Sequence, residues 1–300
     1  MMAVTLVSLM FAANLVPPEP DQDFAEYFAG ARAVSKGLMA KGYVGKTFEF
    51  KDDPVHQNIL SDWGFIYALQ LLLRIRPGGL AWFAIVCSSW VWMCRNTTNR
   101  RSYNAEGDAG TLCVKEGNIM CARVALLMII AHLQGVVNVV ENPSSTVIRF
   151  HRRFEGMLQW MKIFAADVML GHFGAPSQKT VKLFSDQPWI NEVAHHPPRT
   201  WYPRSKGVTK ISNSKDGRRS ISGDRGLKAT QEYPVLFGAH VAKVYHAHHC
   251  PPQDVFASED DADDLTVSDI FNTADTDEWV DAELDGVLRL LMSLVESRKD

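Results

Sequence analysis

Two of the most reactive residue types in the chain stand directly after apolar runs that are typical of buried strands. Cys87 follows the run 80–86, and Glu141 with Asn142 follows the β-branched run 136–140. A thiolate in such a place can act as a nucleophile, and a carboxylic acid near it can donate a proton or a hydrogen bond. Simpler interpretations stay open, because a buried cysteine behaves as a small apolar residue and Asn142 can serve in a turn or cap.

A third stretch combines a glycine turn with an acidic residue on the next strand. Residues 24–28 predict a short strand, Gly30 follows it, and residues 32–41 predict a helix. Such a turn lets a ligand approach the backbone at the N-terminus of a helix. Glu49 lies near the end of the second predicted strand, where a carboxylate can accept hydrogen bonds from ribose hydroxyls. We expect Gly30 and Glu49 to face one pocket; an ordinary tight strand-to-helix connection is the alternative.

The elements that must position these residues alternate between strand and helix patterns from residue 23 to residue 186. Strands are predicted at 24–28, 46–50, 80–86, 136–140, 168–173 and 181–185, and helices at 32–41, 62–75, 117–134 and 154–166, with Pro77-Gly78-Gly79 ending the second helix. This alternation predicts an α/β fold: a Rossmann-like, mostly parallel sheet with helices on both faces. The carboxyl ends of parallel strands meet at one edge, so we expect Cys87 and Glu141 to lie together there.

Charge is segregated along the 300 residues although the formal net charge is only −3. Residues 198–228 carry nine Lys or Arg and two Asp, whereas residues 254–285 carry thirteen Asp or Glu and no Lys or Arg. This asymmetry predicts a basic working surface beside an acidic tail. We divide the chain into an N-terminal segment (1–22), a core (23–187), a small basic loop-rich insertion (188–230), a return to the core (231–249) and an acidic linker with a terminal helix (250–300).

Cysteine usage and hydropathy indicate an intracellular chain without stable membrane association. Five cysteines with no C-x-x-C pair argue against a disulfide framework, and no apolar run reaches the ~20 residues that span a bilayer. Residues 3–16 resemble the apolar core of a signal peptide, so secretion is a minority interpretation. The cluster around His246 lacks a second spaced pair, and we expect no metal site.

Taken in order, these stretches resemble the cytosine-5 DNA methyltransferase family. The family's first motif, which binds S-adenosylmethionine, is similar to a stretch of this chain that contains Phe28-Ala29-Gly30, Ser35, Gly37, Leu38 and Gly42. Cys87 matches the catalytic cysteine, although Ile85-Val86 stands in place of the family's Pro-Pro, and Glu141-Asn142 matches the Glu-Asn motif. Residues 172–178 resemble the stretch that leads to the family's Gln-x-Arg-x-Arg motif, and of that motif this chain keeps the glutamine, Gln178, and one cation, Lys182. Residues 231–242 resemble the family's last motifs, which close the cofactor pocket.

The resemblance implies methylation of cytosine C5 in DNA. Cys87 would attack C6 of a base rotated out of the helix, Glu141 would hold N3, and Asn142 would orient the glutamate. It also implies a cofactor site at Phe28, Gly30, Ser35 and Glu49, and nucleic-acid contacts at Gln178, Lys182, Arg204, Arg218, Arg219 and Arg225. We further expect a lowered pKa for Cys87, near a helix N-terminus. The alternatives are RNA methylation, an inactive nucleic-acid-binding module that keeps the fold, and a protein-interaction role.

Overall fold

A computed structural model describes residues 19–194, 209–213, 219–223 and 230–248. The strands are β1 Gln22–Tyr27, β2 Gly45–Phe48, β3 Ile75–Phe83, β4 Val137–Pro143, β5 Phe164–Met169, β6 Thr180–Ser185, β7 Thr209–Asn213 and β8 Arg219–Gly223. The α-helices are α1 Ala33–Met39, α2 Asp62–Leu73, α3 Arg95–Thr98, α4 Leu112–Leu133, α5 Arg152–Trp160, α6 Ile190–Val193 and α7 Val235–His248. Short 3₁₀ turns lie at Trp92–Cys94, Ile148–Phe150 and Leu170–Phe173.

The first six strands form one mixed sheet in the order β2-β1-β3-β4-β6-β5. The pairs β1–β2, β1–β3 and β3–β4 are parallel, while β6 runs antiparallel to both of its neighbours. Five of the six strands therefore point the same way, and the α/β prediction with a mostly parallel sheet is confirmed. Because β3 lies between β1 and β4, the loops that follow these three strands leave the sheet side by side.

One face of the sheet is covered by α2, α4 and α5. Tyr27, Phe83 and Val140 point into this core, and α4 is apolar around much of its circumference, as expected of a helix that is buried on most sides. The N-terminus of α2 is capped by Ser61, whose hydroxyl accepts a hydrogen bond of 3.0 Å from the Gly64 amide. Phe28, at the start of the glycine turn, also packs against this layer.

The opposite face is covered by α1 and α7, which cross at two glycines. A Cβ atom added to Gly238 would lie 1.9 Å from the carbonyl oxygen of Ala33, and one added to Gly37 would lie 2.3 Å from the carbonyl oxygen of Gly238. The two backbones are therefore in direct contact, which only glycine permits. At this crossing, α7 packs directly on α1, the helix that follows the glycine turn.

Four sequence predictions need correction. Residues 154–166 are not one helix, because α5 ends at Trp160 and β5 begins at Phe164. The predicted strand 168–173 accordingly moves to Phe164–Met169 and is followed by a 3₁₀ turn. Pro77-Gly78-Gly79 lies inside β3, where the register with β1 shifts, and α2 has already ended at Leu73. That strand also stops at Phe83, before the loop that carries Cys87.

The basic insertion is not entirely loop. It contains the short helix α6 and the antiparallel pair β7–β8, which aligns Ile211 with Ile221. The segments 1–18, 195–208, 214–218, 224–229 and 249–300 lie outside the described residues, and with them the predicted acidic tail and terminal helix. Within the described ranges, no helix combines the length and apolar character needed to cross a membrane.

Candidate functional site

The loop after β3 is tied to the carboxyl end of β4. Phe83 on β3 pairs with Val140 on β4, and β4 continues through Glu141 and Asn142 to Pro143, beyond the predicted strand end at 140. The side-chain amide of Asn142 donates a hydrogen bond of 3.0 Å to the carbonyl oxygen of Ile85. Charge on Glu141 acts on the Cys87 thiol, which places the two groups within electrostatic reach of each other. Direct contact between the Cys87 thiol and Glu141 stays a prediction. Asn142 fastens the cysteine loop to β4, whereas we expected its side chain to orient Glu141.

The Cys87 thiol differs from the expectation in its acidity. It is partly buried, and burial raises its pKa above the ordinary value. Lys179 opposes this shift, whereas the negative charge of Glu141 adds to it. The expected helix N-terminus is also absent at Cys87, because the next helical turn begins at Trp92. Our prediction of a lowered pKa for the Cys87 thiol was therefore wrong, because the increase in pKa that burial causes is larger than the decrease that Lys179 causes.

Glu141 is buried, with 5% of its surface exposed, and is held by a tyrosine from the chain segment before α7. The Tyr233 hydroxyl donates a hydrogen bond of 2.6 Å to Oε2 of Glu141. Burial raises the pKa of Glu141, while Lys179 and the Tyr233 hydrogen bond oppose the increase. Among the described residues, none donates a hydrogen bond to the other carboxylate oxygen, Oε1. Leaving such an atom unpaired costs free energy, which a hydrogen bond to another group would recover.

The glycine turn after β1 has an unusual backbone. Phe28, Gly30 and Arg32 have φ angles of 59°, 48° and 57°, in the left-handed region that side chains rarely occupy. The Gly30 amide donates a hydrogen bond of 2.8 Å to Oε2 of Glu49, which confirms that these two residues share one side of the sheet. A Cβ at Gly30 would meet nothing closer than the Phe28 carbonyl oxygen at 4.0 Å. The turn is strained, and its glycine borders open space.

A buried acid that the sequence analysis did not select lies under this turn. Glu26 on β1 accepts a hydrogen bond of 2.8 Å from the Ser35 amide and a second one from the Ser35 hydroxyl. Burial raises the pKa of Glu26 to about 7 against the effect of these bonds. Ser35, expected at the cofactor, thus turns its hydroxyl toward Glu26. The signal available in the sequence was an acidic residue two positions before Phe28.

The cation at this site is Lys179 rather than the expected Lys182. Lys182 lies opposite Asp167 on β5 and forms a 2.7 Å ion pair with it. Lys179 is the cation whose charge acts on both Cys87 and Glu141. Gln178 is exposed beside it. Of the remaining predicted nucleic-acid contacts, Arg219 begins β8, whereas Arg204, Arg218 and Arg225 lie outside the described residues.

A buried arginine supports the cysteine loop from behind. The Arg100 guanidinium carbon lies 3.4 Å from the centre of the Trp90 ring, and Nη2 donates a hydrogen bond of 3.0 Å to the Val114 carbonyl oxygen on α4. Burial lowers the pKa of Arg100 to about 10. His151 packs edge-on against Trp90, and burial together with nearby arginines lowers its pKa to about 3. The cluster anchors the loop three residues after Cys87.

Comparisons of the chain with models of protein families, with curated proteins and with solved structures found no match. The part of the chain that the structure describes also contains no group of three or more His, Cys, Asp or Glu side chains arranged to hold a metal ion.

Proposed function

We propose that the protein transfers a methyl group from S-adenosylmethionine to C5 of cytosine in DNA, and that its sheet is a Rossmann-like methyltransferase sheet. The observation that carries the proposal is the strand order, which brings Cys87, Glu141 and Lys179 to the sheet edge where the Gly30 turn also lies, since Phe83 pairs with Val140 and Pro143 with Val181. A nucleophile, an acid and a cation at one sheet edge match the groups that the family's chemistry requires. The resemblance supplies the substrate; the geometry supports the assignment of roles.

The residues around the glycine turn fit the cofactor. Gly30 borders open space, which allows a ligand to approach the backbone, and the Glu49 carboxylate lies next to the Gly30 amide. Phe28, Gly30 and Glu49 would hold S-adenosylmethionine, with Glu49 accepting hydrogen bonds from the ribose hydroxyls. Ser35 would act indirectly, because its hydroxyl is bound to Glu26 beneath the turn. When bound, S-adenosylmethionine supplies an electrophilic methyl group.

The roles of the reacting side chains follow from their positions. The Cys87 thiolate forms a bond to C6 of the base while Glu141 donates a hydrogen bond or proton to N3, and the displaced electron pair makes C5 nucleophilic. C5 would take the methyl group while the cofactor's sulfur keeps the electron pair of the broken carbon–sulfur bond. Water would then remove the C5 proton, the Cys87–C6 bond would break as the C5–C6 double bond forms again, and N3 would return its proton to Glu141. Lys179 favours the thiolate at the start and end of this cycle. The hydrogen bond from Asn142 on β4 to the Ile85 carbonyl oxygen would hold the cysteine loop against the strand that carries Glu141.

Covalent trapping tests this function. A DNA duplex containing 5-fluorocytosine should form a stable adduct with Cys87 when S-adenosylmethionine is present, because fluorine at C5 cannot leave as a proton does. Intact-mass spectrometry would detect the adduct, and Cys87→Ser should abolish it. Cys113→Ser is the matched control, since this exposed cysteine belongs to α4. Absence of the adduct on DNA containing cytosines in many sequence contexts would count against methylation of DNA.

A second candidate is a module that binds nucleic acid and cofactor without turnover. The raised pKa of Cys87 favours it, because a neutral thiol is a weak nucleophile. Calorimetric titration with S-adenosylmethionine separates the candidates: binding without an adduct supports the inactive module, and the same trap built in RNA tests RNA methylation. If neither cofactor nor nucleic acid binds, the protein-interaction alternative takes precedence.

A further inference from the structure

Tyr233 is the one residue of the described chain whose side chain donates a hydrogen bond to Glu141. It belongs to the segment that precedes α7, and 92 positions separate it from Glu141 in the sequence. Its ring packs edge-on against Phe237 on α7, with the ring centres 5.2 Å apart, and against Trp82 on β3 at 6.4 Å. Both aromatic partners belong to the buried core, so the hydroxyl is held in place.

The hydrogen bond uses one carboxylate oxygen and leaves the other. Oε2 of Glu141 accepts from Tyr233 at 2.6 Å, and Oε1 is buried without a donor among the described residues. A tyrosine hydroxyl that donates to Oε2 disfavours a proton on that same oxygen. The proton of the neutral acid therefore belongs on Oε1, which becomes a hydrogen-bond donor toward a ligand.

We propose that Tyr233 is a positioning residue that keeps the proton of Glu141 on Oε1, so that the site selects a ring nitrogen that accepts a hydrogen bond over one that carries a hydrogen. This inference rests on the proposed function and adds a residue to it. N3 of cytosine is an acceptor, whereas N3 of uracil and thymine carries a hydrogen. Discrimination between these pyrimidines would then depend on a residue from the C-terminal part of the core.

The electrostatic surroundings of Glu141 agree with this assignment. The groups that face it are Lys179, the Cys87 thiol and the Tyr233 hydroxyl. Burial raises the pKa of Glu141 and thus favours the neutral acid, and burial with the Glu141 charge raises the pKa of Tyr233 well above its ordinary value. Tyr233 therefore remains a donor throughout the range in which Glu141 titrates.

Infrared spectroscopy of Tyr233→Phe tests the proton position without any catalytic step. The carbonyl band of protonated Glu141 is assigned as the band that Glu141→Gln removes. Loss of the Tyr233 hydrogen bond should move this band to higher wavenumber and raise the titration midpoint by about one pH unit, because a bond that stabilises the carboxylate is lost. Tyr245→Phe is the matched control, because it removes a tyrosine hydroxyl on α7 that donates a hydrogen bond of 2.8 Å to the Gly78 carbonyl oxygen.

Binding then tests the selectivity. The wild-type protein should prefer oligo(dC) over oligo(dU) at a pH below the midpoint that the infrared titration gives for Glu141, and Tyr233→Phe should reduce the preference about tenfold, the value of roughly one hydrogen bond. An unchanged band and midpoint in Tyr233→Phe, or equal changes in Tyr245→Phe, would overturn the inference. If the band shifts as expected but the wild-type protein shows no preference, the nucleic-acid function fails while the proton assignment stands.

Discussion

At the scale of single residues, Glu26 is a buried acid whose protonation state is linked to folding. Its carboxyl group is fully buried and receives both hydrogen-bond donors of Ser35, yet its pKa rises to about 7. Desolvation therefore exceeds the stabilisation that two hydrogen bonds give the carboxylate. Since Glu26 lies under the Gly30 turn, its charge also changes the potential at the cofactor position that we propose.

We expect Glu26→Gln to remove a pH-dependent part of the stability. The folded-state pKa of about 7 exceeds the ordinary value of 4.5, so the contribution of the acid form is complete below pH 4.5 and is lost as the pH rises through 7. Relative to the variant, the wild-type protein should lose about 3 kcal/mol between these limits. Urea unfolding at several pH values measures this difference.

The amide of a glutamine at position 26 can still accept both hydrogen bonds from Ser35, so the variant isolates the charge. Glu232→Gln serves as the control, because Glu232 is exposed and close in sequence to Tyr233. If the free energy of unfolding of the wild-type protein minus that of Glu26→Gln does not change from pH 4.5 to pH 8, the pKa assigned to Glu26 is wrong.

At the scale of elements, the crossing of α1 and α7 connects the glycine turn to the segment that carries Tyr233. The crossing depends on Gly37 and Gly238, whose backbones approach too closely for any side chain. Movement of α7 away from α1 would shift Tyr233 relative to Glu141 and would also uncover Val34 and Leu38, which are buried beneath it. The helix pair would thus couple the glycine turn, where we propose that the cofactor binds, to Glu141.

Gly238→Ala should destabilise the fold even though alanine is the better helix former. Alanine gains about 1 kcal/mol of helix propensity, but its Cβ would lie 1.9 Å from the Ala33 carbonyl oxygen, and overpacking of this kind costs about 3 kcal/mol. Thermal unfolding should show a lower midpoint for this variant. The control is Ala239→Ser at the next position, which is exposed, and it should leave the midpoint almost unchanged. If Gly238→Ala instead raised the midpoint, the helices would not cross at these glycines.

The sequence predicted the elements whose patterns are unambiguous. The strands near Gly30 and Cys87 and the helix α4 carry sustained apolar patterns, and Glu49 could be placed beside Gly30 because both follow strand signals. Residues 164–169 fit either a helix or a strand, and the deciding contact, the Asp167–Lys182 pair across β5 and β6, is not visible locally. Tyr233 and Lys179 could not be assigned either, because their meeting with Glu141 is set by the folding of distant segments.

At the scale of the whole molecule, the formal net charge of −3 gives no general attraction to nucleic acid. Binding must come from a local surface, and the excess of seven positive charges in residues 198–228 is the candidate in the sequence. The pair β7–β8 forms a hairpin inside that segment, with Arg219 at the start of β8. The acidic residues 254–285 would compete with phosphates for the same surface, and they reduce non-specific binding in this proposal.

The salt dependence of DNA binding tests whether this segment contacts phosphates. Each contact releases a counterion, so the slope of log K against log salt concentration should become less steep by about 0.9 for every contact that is lost. We expect Arg218→Gln, Arg219→Gln and Arg225→Gln together to weaken binding and to reduce the slope by about 2 to 3. The matched control also removes three positive charges, but from exposed lysines of the core, by Lys41→Gln, Lys51→Gln and Lys115→Gln. If the control reduces the slope as much as the arginine variant does, only the overall charge matters; if neither reduces it, the phosphate contacts lie outside the basic segment.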